Sequence, residues 1–214
     1  MADDTLYILD LDRTLLDVDM AMSIAEEACH NLGVDFSKIK EDQQRSFARA
    51  VPYSPLATLE DMGDGVLERF KQEFLKLAGP ARLVFPDAKR YLDKLEHAGK
   101  QYMILTYARD ARWQELKMQG AGLDNIPHII IFHPKKSHDI DSWRSKDGLF
   151  NVPLDTISPA SEVVFVDDRL RVFDGIPKNC KGYYLKRSDW QDDLSDIGKD
   201  ITQIASFDEL IDKL

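Results

Sequence analysis

Two rhythms of apolar and polar residues divide the chain. Apolar runs at Leu6–Leu11, Tyr102–Leu105, Ile129–Phe132 and Val163–Val166 each lead into a polar loop, and Gly182–Leu185 makes a fifth. Such short runs, bounded by turn residues, predict strands of a parallel sheet buried on both faces. Helical spacing lies between several of them. Ala88, Tyr91, Leu92 and Leu95 share one helical face, with Gly99 placed to end the helix. Asp110 is set to cap a helix that carries Trp113 and Leu116 and stops near Gly120. Ser206, with Glu209 three residues on, predicts a capping box for a last helix holding Leu210, Ile211 and Leu214. Strands alternating with helices imply an α/β fold, a doubly wound parallel sheet of Rossmann-like type.

One stretch breaks the alternation. Between Leu16 and Phe85 only helical periodicity is visible. Val18, Met22, Ala25, Cys29 and Leu32 form one stripe closed by Gly33; Val66, Phe70, Phe74 and Leu77 form a second closed by Gly79-Pro80. Tyr53-Ser54-Pro55 punctuates the middle. The expected organisation is therefore a core of residues 1–16 and 86–214, with an all-helical subdomain, residues 17–85, inserted after the first strand.

Charge narrows the function classes. The 38 acidic side chains outnumber the 28 basic ones, a net of −10, which disfavours general binding to a nucleic-acid backbone while permitting one local anion pocket. No stretch approaches the ~20 apolar residues of a membrane span. Met1-Ala2-Asp3-Asp4 does not start a signal peptide, so a cytoplasmic location is expected. Cys29 and Cys180 are far apart and read as free thiols. The acidic stretch Asp189 to Asp200 reads as a solvated loop or edge.

The chemistry gathers where strands end. In an open parallel sheet, ligands bind outside the carboxyl ends of the strands. The first run ends in Asp10-Leu11-Asp12-Arg13-Thr14, and alternation sends both carboxylates out on the same side. Two carboxylates so close repel each other, so a cation is expected beside them. The second strand ends at Thr106, whose hydroxyl either donates to a ligand oxygen or simply closes the strand. The run Val163–Val166 ends in Asp167-Asp168, hard oxygen ligands of the kind magnesium takes. His133 and His138 sit apart from the carboxylates and read as loop residues rather than zinc ligands.

Taken in order, Asp10-Leu11-Asp12-Arg13-Thr14, Leu105-Thr106, a lysine before the fourth strand and Val166-Asp167-Asp168 resemble the four motifs of the haloacid dehalogenase-like (HAD) superfamily, specifically its phosphatases. For the lysine that the resemblance implies, Lys135, Lys136 and Lys146 compete, and Lys136 is preferred because it can open a short helix through Ile140 and Trp143. Phe85-Pro86-Asp87 through Gly99 resembles the lead-in to the second motif, and the helical insert resembles the family's cap domain. Arg13 departs from the pattern, since glycine is common there. The resemblance implies a sheet with the first strand central, flanked by the second and fourth. It also implies a magnesium-dependent phosphomonoester hydrolase acting on small phosphorylated metabolites. In that scheme Asp10 is the nucleophile that becomes a phospho-aspartate, and Asp12 is the acid/base. Thr106 and Lys136 hold phosphoryl oxygens. The magnesium set is Asp10, Asp12 (through its backbone carbonyl), Asp167 and Asp168. Arg45, Arg49 and Arg69 are candidate contacts from the cap. A phospho-accepting regulatory module, a non-catalytic binding protein and a phosphotransferase or mutase stay open as alternatives.

Overall fold

The computed structural model describes residues 4–49, 51–187 and 201–214. It falls into two compact units, one of residues 1–15, 85–106 and 126–214, the other of residues 16–84 and 107–125.

The first unit carries the sheet. Its strands are β1 (Thr5–Leu9), β2 (Gln101–Tyr107), β3 (His128–Ile131), β4 (Glu162–Asp167), β5 (Cys180–Leu185) and β6 (Ile201–Ile204). They form one all-parallel sheet in the order β3-β2-β1-β4-β5-β6. The first strand is thus central, with Leu9 in register with Ile104 on one side and Val166 on the other. Leu6, Ile8, Leu9, Phe165 and Val166 are fully buried, and each such side chain contributes about 1.5–3 kcal/mol. Gly182 in β5 admits the Phe173 ring so closely that an added Cβ would lie 2.8 Å from it.

Helix α6 (Pro86–His97) buries Ala88, Tyr91, Leu92 and Leu95 as their spacing predicts, and Gly99, at φ 63°, ends it. Helix α8 (Lys136–Ser142) begins at the preferred lysine. Helix α9 (Asp208–Ile211) is one turn long. Its predicted box takes another form. Ser206 Oγ accepts the Asp208 N–H at 3.1 Å, and Glu209 reaches back to the Ala205 N–H at 2.7 Å. Strand β6 was not anticipated, and the acidic stretch Asp189 to Asp200 lies outside the described residues.

The second unit is helical: α1 (Val18–Asn31), α2 (Ser37–Ala48), α3 (Leu56–Glu60), α4 (Val66–Leu77), α5 (Pro80–Leu83) and α7 (Ala111–Ala121). Asp17 caps α1 by accepting the N–H groups of Asp19 and Met20, each at 3.0 Å. The stripe on α4 is buried at Phe70 and Phe74. Ser54 Oγ accepts the Leu56 N–H at 3.3 Å and starts α3.

The expected boundary differs in one respect, because residues 107–125 group with the helices rather than with the sheet. Trp113 of α7 stands edge-on to Phe74 with ring centroids 5.2 Å apart. Helix α7 ends at Ala121, near Gly120 as expected, and Gly120 in its last turn packs so closely that an added Cβ would approach Ala78 Cβ to 2.8 Å. Gly122, at φ 68°, caps its C-terminus. Among the described residues, no helix is long and apolar enough to cross a membrane.

Candidate active site

The carboxyl ends of β1 and β4 lie side by side, and the Asp10 N–H donates to the Val166 carbonyl at 2.9 Å. Asp10 follows β1 directly and Asp167 is the last residue of β4, so register alone sets their side chains together. The carboxylates of Asp10, Asp167 and Asp168 offer oxygens within 4.8 Å of one another. Asp10 and Asp167 are buried and Asp168 is half-buried.

Lys136 enters from the first residue of α8. It is 3% exposed, and its Nζ donates to Asp10 Oδ1 and, at 2.7 Å, to Asp167 Oδ2. Ser137, the next residue, donates from Oγ to the Asp174 carbonyl at 2.5 Å and so fixes the start of that helix. Asp167 Oδ1 accepts the Arg169 N–H at 2.8 Å. Lys135 and Lys146 are exposed, and the buried chemistry falls to Lys136 alone of the three.

Three carboxylates therefore face one ammonium, two negative charges in excess when all are ionised. Burial pushes the Asp10 carboxyl up to about 7, with Asp167 and Asp12 adding to the rise and Lys136 opposing it. Burial, then Asp167 and Asp10, push Asp168 well above the carboxylate range. For Lys136, burial disfavours the charged form, but Asp10 and Asp167 outweigh it and hold the ammonium protonated. An unbalanced set of hard oxygen donors fits a divalent cation such as magnesium, which typically takes one or two carboxylates.

The other candidates sit around this group. Thr106 is buried at the end of β2, beside β1. The half-buried carboxylate of Asp12 stands outside the group of three. Arg13 adopts φ 65°, the left-handed region where a side chain is strained. This gives a physical reason for glycine at that place in related motifs. Thr14 Oγ1 is buried and has no hydrogen-bond partner among the described residues. The segment is held at its far end, where the Leu15 carbonyl accepts the Phe85 N–H at 3.0 Å.

His133 lies 3.5 Å from Asp139 and is not part of the carboxylate group. In the helical unit Arg45, Arg49 and Arg69 are exposed, and Arg45 pairs with Asp42 at 2.5 Å. Sequence reasoning passed over a second charged pair of the sheet unit, Asp87 with Arg187. Its members are 100 residues apart, and only the start of α6 at Pro86-Asp87 gave any hint of it.

No protein-family model matches the sequence, and no curated protein matches it. Solved structures do. A haloacid dehalogenase-like hydrolase from Burkholderia xenovorans is similar over 98% of this chain and 98% of its own, with a TM-score of 0.68 at 19% identity. The fold is that of the haloacid dehalogenase-like hydrolases. The HAD-hydrolase YfnB from Bacillus subtilis, bound to magnesium in its structure, covers 100% of this chain and 99% of its own, with TM-score 0.55 and 15% identity. A haloacid dehalogenase-like family hydrolase from Xanthomonas campestris covers 99% and 90%, with TM-score 0.52 and 14% identity. On this HAD-like fold, the group formed by Asp10, Asp167, Asp168 and Lys136 occupies the sheet edge where ligands of open α/β folds bind.

Proposed function

We propose that the chain is a magnesium-dependent phosphomonoester hydrolase of the HAD type, forming a phospho-aspartate on Asp10 and acting on small phosphorylated metabolites. The observation that carries this reading is the meeting of three carboxylates with one buried ammonium at the ends of β1 and β4. Asp10 and Asp167, with Asp168 beside them, would hold magnesium there, and when bound it would supply the positive charge that keeps Asp10 ionised and offsets charge on the phosphoryl oxygens.

The protein's own groups do the rest. A carboxylate oxygen of Asp10 attacks phosphorus while the bond to the ester oxygen breaks, and Asp12 gives its proton to the leaving alkoxide. Water then attacks the phosphoryl group, passing its proton to Asp12, and phosphate and free Asp10 are restored. Asp12 suits both steps because it is half-buried and outside the carboxylate group, so it can meet substrate and water. Lys136 has three N–H donors; two engage Asp10 and Asp167, and the third is left for a phosphoryl oxygen. The Thr106 hydroxyl donates to another. The helical unit is the candidate determinant of substrate choice.

Asp12 argues against carbon–halogen cleavage, since a halide leaves without a proton. The test is a panel of phosphorylated metabolites assayed with and without magnesium, run beside Asp10→Asn. Turnover is expected to need magnesium and to vanish in the variant. A variant that keeps the wild-type rate removes Asp10 as the nucleophile.

A further inference from the structure

Arg187 lies just beyond the end of β5, and its guanidinium faces two ways. Nε and Nη2 donate to the Thr14 carbonyl at 3.2 and 3.1 Å, and Nη2 also donates to both oxygens of Asp87, at 2.9 and 3.0 Å. The guanidinium plane lies against the Phe85 ring, 4.1 Å from its centroid, with Phe207 5.7 Å away. Asp87 is held in turn by the Phe207 N–H at 2.9 Å and Ser206 Oγ at 3.1 Å. This pair, with side chains 14% and 10% exposed, joins four separated stretches of the chain: the turn after β1, the start of α6, the end of β5 and the start of α9.

We propose that Arg187, fixed by Asp87, is a positioning residue for the phosphoryl-transfer segment, holding the Thr14 carbonyl so that the turn from Asp10 to Leu15 keeps the geometry that aims Asp10 and Asp12. The turn needs such a hold. It contains a left-handed Arg13 and a buried Thr14 hydroxyl without a partner, and both favour rearrangement of a free loop. It is also tied by the Asp10 N–H on the Val166 carbonyl, by the Leu15 N–H on the Leu11 carbonyl at 3.0 Å, which closes the turn across Thr14, and by the Leu15 carbonyl on the Phe85 N–H. None of these three bonds takes up the Thr14 carbonyl oxygen, which the Arg187 fork does. A planar fork of donors holds a carbonyl and a carboxylate in one fixed geometry that the single rotatable ammonium of lysine does not reproduce, so lysine is a poor replacement.

The inference rests on reading Asp10 to Thr14 as the site of phosphoryl transfer, and the experiment separates the two claims. Amide hydrogen exchange over residues 11–16 is compared with β4 in wild type, Arg187→Met, Arg187→Lys and Asp87→Asn. Magnesium-dependent hydrolysis of p-nitrophenyl phosphate is measured on the same proteins. Arg187→Met is expected to speed exchange in residues 11–16 about tenfold or more while leaving β4 protected. It is expected to lower kcat on the order of 10- to 100-fold with KM within about twofold, the scale of a nucleophile displaced by about 1 Å. Arg187→Lys and Asp87→Asn should fall between, and they carry the test if the methionine variant does not fold. Adding Asp87→Asn to Arg187→Met should cost nothing further, since the two act as one unit. Unchanged exchange in residues 11–16, or a loosened segment with full kcat, overturns the proposal. A wild-type protein without phosphatase activity removes the hydrolase reading, and the exchange pattern still decides whether Arg187 holds the turn.

Discussion

Two buried charge clusters in the sheet unit differ in their balance. In the Asp87–Arg187 pair, one carboxylate meets one guanidinium and two further donors. Burial opposes its ionisation, but Arg187, the Phe207 N–H and Ser206 outweigh it and hold Asp87 below the usual carboxylate range. In the cluster of Asp10, Asp167, Asp168 and Lys136, one ammonium serves three carboxylates, and Asp10 and Asp168 rise instead. The first is complete as folded. The second leaves carboxylates in excess, an imbalance that the proposed cation would offset. Similar side chains at similar depth thus end in opposite balance, and the count of charges separates them.

The comparison breaks most sharply in activity. Asp10→Asn should lower turnover of a good phosphoester by roughly 10³-fold or more, on the scale seen when a nucleophile is removed, while Asp87→Asn leaves measurable rate. Kinetics on the two purified variants decide this. Next in size is stability. Lys136→Met leaves two buried carboxylates and the half-buried Asp168 without their ammonium, and urea denaturation without metal should show a loss of about 3–5 kcal/mol. Added magnesium should recover part of it, whereas magnesium should stabilise Arg187→Met no more than it stabilises wild type.

A third contrast lies in pH. Asp10 has a folded value raised to about 7, so the folded state binds its proton more tightly than the unfolded chain does. The stability this gives is complete below about pH 4 and is lost as pH rises towards 7. Asp87 is lowered, so its contribution is present above the ordinary carboxylate range and is lost as pH falls through its folded value. Thermal melts of the metal-free protein should therefore weaken from pH 4 to 7 in wild type but less so in Asp10→Asn, and the stabilisation by magnesium should be larger at pH 8 than at pH 5. The acid limb should be blunted in Asp87→Asn alone. The smallest effect is at Arg13. Replacing it with glycine should relieve the left-handed backbone by about 1 kcal/mol, read as a higher urea midpoint.

Much of the architecture could be read from the chain because burial is periodic. Five strands were visible as apolar runs, and β4 and β1 announced their own ends with aspartates. Strand β6 was missed because Ile201-Thr202-Gln203-Ile204 has only two apolar residues and follows an acidic stretch. Helix α7 starts after its Asp110 cap and ends one residue past Gly120, close to where the pattern put both ends, but the packing of Gly120 on Ala78 is a contact that no local pattern reveals. The carboxylates and Lys136 of the candidate site were legible since each sits at the end or start of a recognisable element. Asp87 with Arg187 was not. The pair depends on a contact 100 residues long in sequence, and Arg187, though it follows the apolar run Gly182–Leu185, carries no motif that names its partner. The left-handed turn at Arg13 is equally silent, because composition does not report φ.

The most direct test of the central claim is mass spectrometry of the protein quenched in acid during turnover of a phosphoester with magnesium. A phosphoryl group on the peptide containing Asp10, absent when magnesium is withheld and absent in Asp10→Asn, is the predicted result. Turnover with no label on Asp10, or with the label on another residue, contradicts it.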